Sequence, residues 1–209
     1  MKNRSYIQAV VDKRVAVGLF IWWIFNLLQA AFTELAHDEA YYYMFAQNLD
    51  WGYFDHPPMT ALLIWLGSFI GGELGVRIFF TLLQPLYLWI LWCIIRPRNP
   101  HRRDATIFLV VSAALPILQL YGFPAVPDVP LVMTAALFLL CYKRFTEDES
   151  VLNMLLLGLS MALMAYSKYH GALLVLFTLL THPRLFTRPR LYLSGIFALM
   201  LIAPHLWWQ

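Results

Sequence analysis

The chain has 209 residues, of which 61% are hydrophobic, 16% aromatic and only 13% charged. With a mean hydropathy of +0.63, this composition excludes a disordered chain and argues against a soluble one, because apolar runs recur near the roughly 20 residues that a helix needs to cross a bilayer. The formal net charge of +3 is spread over the loops, which argues against a nucleic-acid-binding surface.

The first apolar run, residues 15–32, follows Lys13 and Arg14 and predicts a membrane span near residues 14–33. The run is too long for the apolar part of a cleavable signal peptide, and an acidic, aromatic loop follows it instead of a small-residue cleavage site. We therefore expect this segment to stay in the membrane.

Residues 34–58 form the most distinctive segment, with five carboxylates, two histidines and seven aromatic residues but no lysine or arginine. Asp38 and Glu39 could simply start a short amphipathic helix over residues 40–49, because acids favour the first turn. Tyr42 lies four residues after Asp38, however, so the two side chains share one face of such a helix. This density of acids and aromatics next to a membrane predicts a functional site.

Residues 57–70 begin with two prolines, end before Gly71 and Gly72, and are too short to span a bilayer comfortably, so they predict an interfacial or re-entrant helix. Further spans are predicted near residues 76–95, 105–121, 128–142, 151–166, 170–182 and 191–208. The expected fold is an all-α, polytopic membrane protein. It forms one domain over residues 1–209 with about seven transmembrane helices, and short interfacial helices lie in a first outer loop at residues 34–75.

The basic residues predict the orientation of these spans. With a cytoplasmic N-terminus, thirteen of the fifteen lysines and arginines lie in the inner segments 1–14, 96–104, 143–150 and 183–190, and only Arg77 and Lys168 lie outside. The same topology brings distant ionisable residues to the outer face, where charges at membrane depth indicate function. These residues are His37, Asp38, Glu39, Asp55, His56, Asp128, Lys168, His170 and His205.

Simpler interpretations exist for the outer charges. Asp128 could merely cap a helix between two prolines, and Lys168 could extend its ammonium group to the membrane interface. Arg77 has Glu73, four residues away, as its nearest possible partner in sequence.

The remaining outer aromatics and histidines also have ordinary explanations. Tyr41 and Tyr43 are typical of an interfacial aromatic belt. His170 and His205 fit packing or interfacial positions better than metal coordination, because no spacing of Cys and His residues forms a metal motif.

Four short motifs occur in a characteristic order. They are Asp-Glu-Ala-Tyr-Tyr at 38–42, Tyr-Phe-Asp-His-Pro-Pro-Met at 53–59, Pro-Asp-Val-Pro-Leu at 127–131 and Ser-Lys-Tyr-His-Gly-Ala-Leu-Leu at 167–174. Together they resemble the polytopic membrane glycosyltransferases of the C superfamily, especially the protein O-mannosyltransferase-like and lipid A aminoarabinose transferase-like enzymes of bacteria. The resemblance implies sugar transfer from a polyprenyl-phosphate donor to a hydroxyl of a protein, lipid or glycan at the outer face of the bacterial inner membrane. It also leads us to expect that this chain is the N-terminal part of a longer enzyme.

The resemblance implies specific roles for the motif residues. Asp38 corresponds to the catalytic base that takes the proton of the acceptor hydroxyl, with Glu39 as the alternative, and the expected outcome is inversion at the anomeric carbon. Lys168, or a protonated His56, would stabilise the departing phosphate, although many relatives have Lys at the position of His56. The residues expected to bind substrate are Tyr42, Tyr53, Asp55, His56, Asp128, Lys168 and His170.

Two questions stay open at the level of sequence. A divalent cation held by Asp38, Asp55 and His56 could bridge the phosphate in place of the cationic side chains. A transporter or flippase for a lipid-linked or anionic substrate would also contain membrane-embedded charges and proline-broken segments, and a structural subunit is a third class. The absence of an internal repeat and the clustering of acids on one face favour the enzyme.

Overall fold

The computed structural model describes residues 2–97 and 100–209, with side chains from residue 11 onward. Within these ranges the chain is all-α, with ten α-helices, two short 3-10 turns at Ser68–Ile70 and Pro183–Thr187, and no strand. The helices are α1 (Lys2–Phe32), α2 (His37–Ala46), α3 (Met59–Gly67), α4 (Gly72–Ile95), α5 (Arg102–Ala114), α6 (Pro116–Leu120), α7 (Asp128–Glu147), α8 (Val151–Ser167), α9 (Gly171–Leu180) and α10 (Pro189–Trp208).

Four helices in the described ranges are long and apolar enough to cross a bilayer, namely α1 over Val11–Phe32, α4, α7 and α10. The helices α8 and α9 are apolar but shorter, with 17 and 10 residues. The all-α membrane architecture is therefore confirmed, whereas the expected number of seven spans stays a prediction.

The predicted span at 105–121 is wrong as a single helix, because the chain leaves the helix at Leu115 (φ −83°, ψ 110°) before α6 begins. Pro116 explains the break. Proline has no N–H to continue the helical bonding, and its ring forces the preceding residue out of helical geometry.

The first loop contains two helices, as expected, but their boundaries differ from the prediction. The helix α2 begins at His37 because the Glu39 carboxylate accepts a hydrogen bond from the Ala36 N–H at 3.0 Å, which caps the first turn. The helix α3 follows Pro58, as the two prolines predict. Gly71 and Gly72 adopt positive φ, and α4 starts at Gly72.

The long helices pack side by side in the order α1, α4, α7, α8 and α10, with α5 against α1 and α9 against α8. The short helices α2 and α3 pack together, and α3 also contacts α4 and α8. One buried cluster joins α2 and α3 to α4 and the start of α7, through residues that include Tyr42, Ile64, Phe80 and Val129. This cluster fixes the first loop over one end of the bundle.

Candidate active site

Tyr53 folds residues 47–56 back over α2. Its hydroxyl donates to the backbone oxygen of Phe45 at 3.0 Å and accepts from the Asp50 N–H at 3.3 Å, while its ring stacks on that of Phe45 with 4.2 Å between centroids. A further backbone bond joins the Tyr53 N–H to the His56 oxygen. Tyr53 is thus a residue that shapes the loop, and its hydroxyl is engaged by backbone groups.

This folding places His56 and Asp55 beside two tyrosines of α2. The Tyr42 hydroxyl is hydrogen-bonded to Nε2 of His56 at 3.1 Å, and the Tyr41 hydroxyl donates to Oδ1 of Asp55 at 3.1 Å. Nδ1 of His56 lies 2.9 Å from Oδ1 of Asp55, but it has no hydrogen-bond partner of good geometry among the described residues. His56 and Tyr41 hold the pKa of Asp55 below its usual value, against a smaller opposing effect of burial.

Three carboxylates act electrostatically on the hydroxyl of Tyr42. Its pKa is raised to about 12, mainly by burial and then by the negative charges of Asp38, Asp55 and Asp128. These acids come from α2, the loop before α3 and the start of α7, so residues 90 positions apart in sequence act on one hydroxyl. Asp38 itself is exposed and accepts no hydrogen bond from the residues that the structure describes.

Glu39 has opposite surroundings, because it forms a buried ion pair with Arg77 of α4. Both residues are 1% exposed, and Nε and Nη2 of Arg77 donate to the two carboxylate oxygens at 2.6 and 2.5 Å. Glu73, the nearest possible partner of Arg77 along the chain, is instead exposed at the first turn of α4. Arg77 also donates to the backbone oxygens of Ala30, Thr33 and Glu34.

The same pair ties the loop before α7 to the first loop. Oε1 of Glu39 accepts the Ala125 N–H at 2.8 Å, and the Arg77 guanidinium lies 5.2 Å from the centre of the Phe123 ring. Burial alone would raise the pKa of Glu39, but the hydrogen bonds from Arg77, Ala125 and Ala36 and the charge of Arg77 outweigh it and lower the pKa.

Lys168 and Asp128 form a salt bridge, with Nζ and Oδ1 2.8 Å apart. Lys168 directly follows α8 and Asp128 begins α7, so the contact joins two of the outer segments predicted from sequence. The ammonium group of Lys168 therefore has a carboxylate partner. His170 is exposed at the start of α9 and makes no side-chain hydrogen bond within the described ranges.

His205 takes part in this region through a chain of hydrogen bonds. Its Nδ1 lies 2.6 Å from the backbone oxygen of Trp51, so that nitrogen carries the proton and Nε2 accepts from the Tyr169 hydroxyl at 3.1 Å. Gln209 donates to the same hydroxyl at 3.0 Å. The side chain of His205 is buried, which a packing interpretation also expects, but the bonds to the first loop and to the residue after Lys168 were not foreseen.

We call Tyr42, Asp55, His56, Asp128 and Lys168, together with the neighbouring Asp38, the acidic cluster. An apolar cavity of about 580 Å³ opens next to this cluster. The cavity lies between the first loop, α3, α8 and α10, and its walls include Trp51, Met59, Leu62, Tyr166 and Leu201. Trp51 is the residue whose backbone oxygen His205 contacts, and Tyr166 lies two residues before Lys168. An apolar groove and a charged cluster are therefore neighbours.

The metal candidates predicted from sequence do not form a recognisable metal centre. Across residues 2–97 and 100–209, no group of three or more His, Cys, Asp or Glu side chains has a geometry suited to an ion. Asp55 and His56 are adjacent, but Asp38 does not complete a set of three donors with them. The geometry of these side chains does not by itself define a metal site.

The fold and the cluster define a polytopic membrane protein with acids, a lysine and an apolar groove at one end of its helices. Residues 55–208 match the family model described as dolichyl-phosphate-mannose-protein mannosyltransferase, so the chain belongs to this family of C-superfamily membrane glycosyltransferases. Asp38 and Glu39 lie before the matched range. No solved structure matches the chain significantly.

One curated relative is the lipid A galacturonosyltransferase RgtD of Rhizobium johnstonii. It is 28% identical over 207 residues, a match that covers 93% of this chain and 42% of the relative. The chain thus spans about two fifths of the length of that protein.

Proposed function

We propose that this chain is the part of a membrane glycosyltransferase that binds a polyprenyl-phosphate sugar and begins its transfer to an acceptor hydroxyl at the outer face of the inner membrane. The observation that carries the proposal is the set of paired polar side chains from distant segments, in which Tyr42 bonds His56, His56 lies against Asp55, and Lys168 is paired to Asp128. A membrane glycosyltransferase family match and a lipid A glycosyltransferase relative support the same chemistry.

Asp38 is proposed as the base. The acceptor oxygen attacks the anomeric carbon, its proton passes to the Asp38 carboxylate, and the bond to the phosphate oxygen breaks with its electron pair leaving on the phosphate. The exposed, unengaged carboxylate of Asp38 supports this assignment, whereas both oxygens of Glu39 are already bonded to Arg77 and backbone N–H groups. Direct displacement by one base predicts inversion.

Lys168 is proposed to stabilise the departing phosphate. An ammonium group that already holds a carboxylate 2.8 Å away can exchange that partner for phosphate oxygens when the donor binds. Asp128 then keeps the lysine in place between turnovers. His56, bonded to Tyr42, is proposed to contact the sugar hydroxyls or, when protonated, the phosphate.

The apolar cavity beside the cluster is proposed to hold the first isoprene units of the donor. Its volume of about 580 Å³ and its aromatic and aliphatic walls suit a hydrocarbon chain. Because the cavity borders Tyr166 and Trp51, a chain lying in it would present its phosphate near Lys168. Donor lipid and reacting carbon would thereby be aligned.

The test is Asp38→Asn in the full-length protein in nanodiscs, with radiolabelled polyprenyl-phosphate sugars as donors. We expect the single-turnover rate to fall by about 10²- to 10⁴-fold while donor binding persists, because Asn retains the size of Asp but not its basicity. Glu34→Gln, an exposed acid of the same loop, is the control and should keep its rate. Near-normal turnover of Asp38→Asn would reject the assigned base.

A further inference from the structure

A second cavity, of about 410 Å³, lies between α1 and α5, at the end of the bundle away from the acidic cluster. It is lined by Lys13, Arg14, Val17, Ala105, Thr106 and Leu109. The groove thus combines two adjacent cations, a hydroxyl and an aliphatic floor, and it has no role in the proposed sugar transfer.

The two cations of this groove have no acidic partner. Lys13 and Arg14 are exposed, and no carboxylate lies within salt-bridge distance of either, although all twelve carboxylates of the chain belong to residues whose side chains the structure describes. The adjacent Asp12 is occupied by Arg96 and by the Trp92 indole N–H. The positive charge in the groove is therefore available to an external anion.

Arg102 adds a third cation to the same side of α5. It precedes Thr106 by four residues, which places both on one face of the helix. The carboxylate of Asp104 is turned back to the His101 N–H at 2.7 Å, where it caps α5. The one acid in the first turn of α5 is thus already engaged.

The groove closes toward the middle of the bundle. A Cβ on Gly18 would lie 2.7 Å from the side chain of Leu109, so α1 and α5 touch closely at the apolar end of the cavity. Val17, which is 49% exposed, and Leu109 form the floor between that contact and the cations. A ligand that fits must therefore be anionic at the open end and apolar at the closed end.

We propose that this groove binds an anionic phospholipid of the cytoplasmic leaflet, with the headgroup at Lys13 and Arg14 and an acyl chain along Val17 and Leu109. Basic pockets between transmembrane helices on the cytoplasmic side recognise anionic headgroups by charge-assisted hydrogen bonds. The assignment to the cytoplasmic leaflet depends on the predicted cytoplasmic N-terminus. The shape and the charge of the groove do not depend on that prediction. Such a lipid would hold α5 against α1.

The test is native mass spectrometry of the full-length protein titrated with phosphatidylglycerol or phosphatidylcholine. Both lipids contain a phosphate, so the comparison isolates the net negative charge. We expect one phosphatidylglycerol to bind at least tenfold more tightly than phosphatidylcholine, and the double variant Lys13→Gln/Arg14→Gln to bind it about 30-fold more weakly.

Lys143→Gln/Arg144→Gln is the matched control, because it removes the same two residue types from an exposed pair at the end of α7 that lines neither of the two cavities described above. Equal loss in both double variants would reduce the effect to general surface charge and overturn the proposal. Val17→Trp fills the floor but keeps both cations, so it should also weaken binding. Unchanged phosphatidylglycerol binding in Val17→Trp would show that the groove is not the binding site. This outcome does not depend on whether the charge variants are stable.

Discussion

Asp38 and Glu39 are adjacent in sequence, yet their carboxylates have opposite surroundings. Asp38 is exposed, while Glu39 is 1% exposed and holds Arg77 and the Ala125 N–H. One helical residue step of about 100° separates the proposed base, Asp38, from a buried carboxylate that forms structural contacts. The buried pair fixes the helix that presents Asp38, so we assign Glu39 a positioning role.

Glu39→Gln should destabilise the protein strongly, because it leaves the Arg77 guanidinium buried without its counter-charge. Removal of one member of a buried ion pair costs about 3–5 kcal/mol. Glu73 is closer to Arg77 along the chain, but its side chain is exposed. The variant Glu73→Gln should therefore change stability little. Thermal unfolding in detergent compares the two, and equal stability would contradict the assigned partner.

The ion pair of Glu39 with Arg77 also predicts that the stability of the protein falls at acid pH. Since the pKa of Glu39 is lowered in the folded protein, its contribution is fully present above the unfolded value of about 4.3 and is lost as the pH falls through the folded pKa. Unfolding temperatures of wild type and Glu39→Gln should therefore approach each other in acid. A constant difference down to low pH would argue against this linkage.

Lys168→Ala should weaken donor binding as well as turnover. The expected loss is about 2 kcal/mol or more, because charge-assisted bonds to phosphate are stronger than a surface ion pair. Lys143→Ala removes a lysine far from the cluster and should leave donor affinity unchanged. Titration of a polyprenyl-phosphate sugar into both variants gives the comparison, and unchanged binding in Lys168→Ala would return this lysine to an interfacial role.

Much of the candidate site is predictable from the sequence, because the type and spacing of acids and tyrosines in a short loop indicate a site. Tyr42 shares a helical face with Asp38, and both belong to the candidate site. The pairing of Glu39 with Arg77 is not predictable in the same way, since 38 residues separate them and Glu73 is closer along the chain. Tyr41 was assigned to an interfacial belt, yet its hydroxyl contacts Asp55, because only the folded loop brings Asp55 back over α2.

At the scale of elements, α8 and α10 meet at a glycine. A Cβ on Gly158 would lie 2.5 Å from the backbone oxygen of Ser194, so only glycine permits this approach. Small residues let helices pack closely in membranes, where apolar side chains gain little by leaving lipid. The contact matters for the site because α10 carries His205, which bonds the Trp51 oxygen and Tyr169.

Gly158→Ala should separate α8 from α10 and destabilise the protein by about 1–3 kcal/mol, the usual cost of overpacking. Gly195→Ala is the matched control, a glycine in the middle of α10 with no atom within 4 Å of the added methyl group. The control should be neutral or gain up to about 1 kcal/mol of helix propensity. Thermal unfolding compares the stability of the two variants. Equal effects would show that the close approach of α8 to α10 at Gly158 is unimportant for stability.

Helix boundaries show where sequence reasoning succeeds and where it fails. Pro58 starts α3 where proline is expected to start a helix, and the long apolar runs became α1, α4, α7 and α10. The run at 105–121 predicts one span because its hydropathy is continuous. Pro116 divides it into two helices, so local backbone chemistry prevails over hydropathy there.

At the scale of the whole molecule, the ion pairs of the described residues lie at two opposite ends of the bundle. One end holds the contacts of Lys168 with Asp128 and of His205 with Trp51. The other end holds Arg96 with Asp12, together with the contact of Lys143 with the Ile94 oxygen. The second end is the one with most of the basic residues, which is the arrangement that a cytoplasmic N-terminus predicts.

This orientation predicts the labelling of single cysteines introduced at Asn48 and Glu147, both exposed and at opposite ends of the bundle. In a background with Cys93→Ala and Cys141→Ala, a membrane-impermeant maleimide applied to intact cells should label position 48, and should label position 147 only after permeabilisation. Labelling of both positions in permeabilised cells controls for accessibility. The reverse pattern in intact cells would put the acidic cluster in the cytoplasm, and the transfer reaction would then need a donor presented at the inner face.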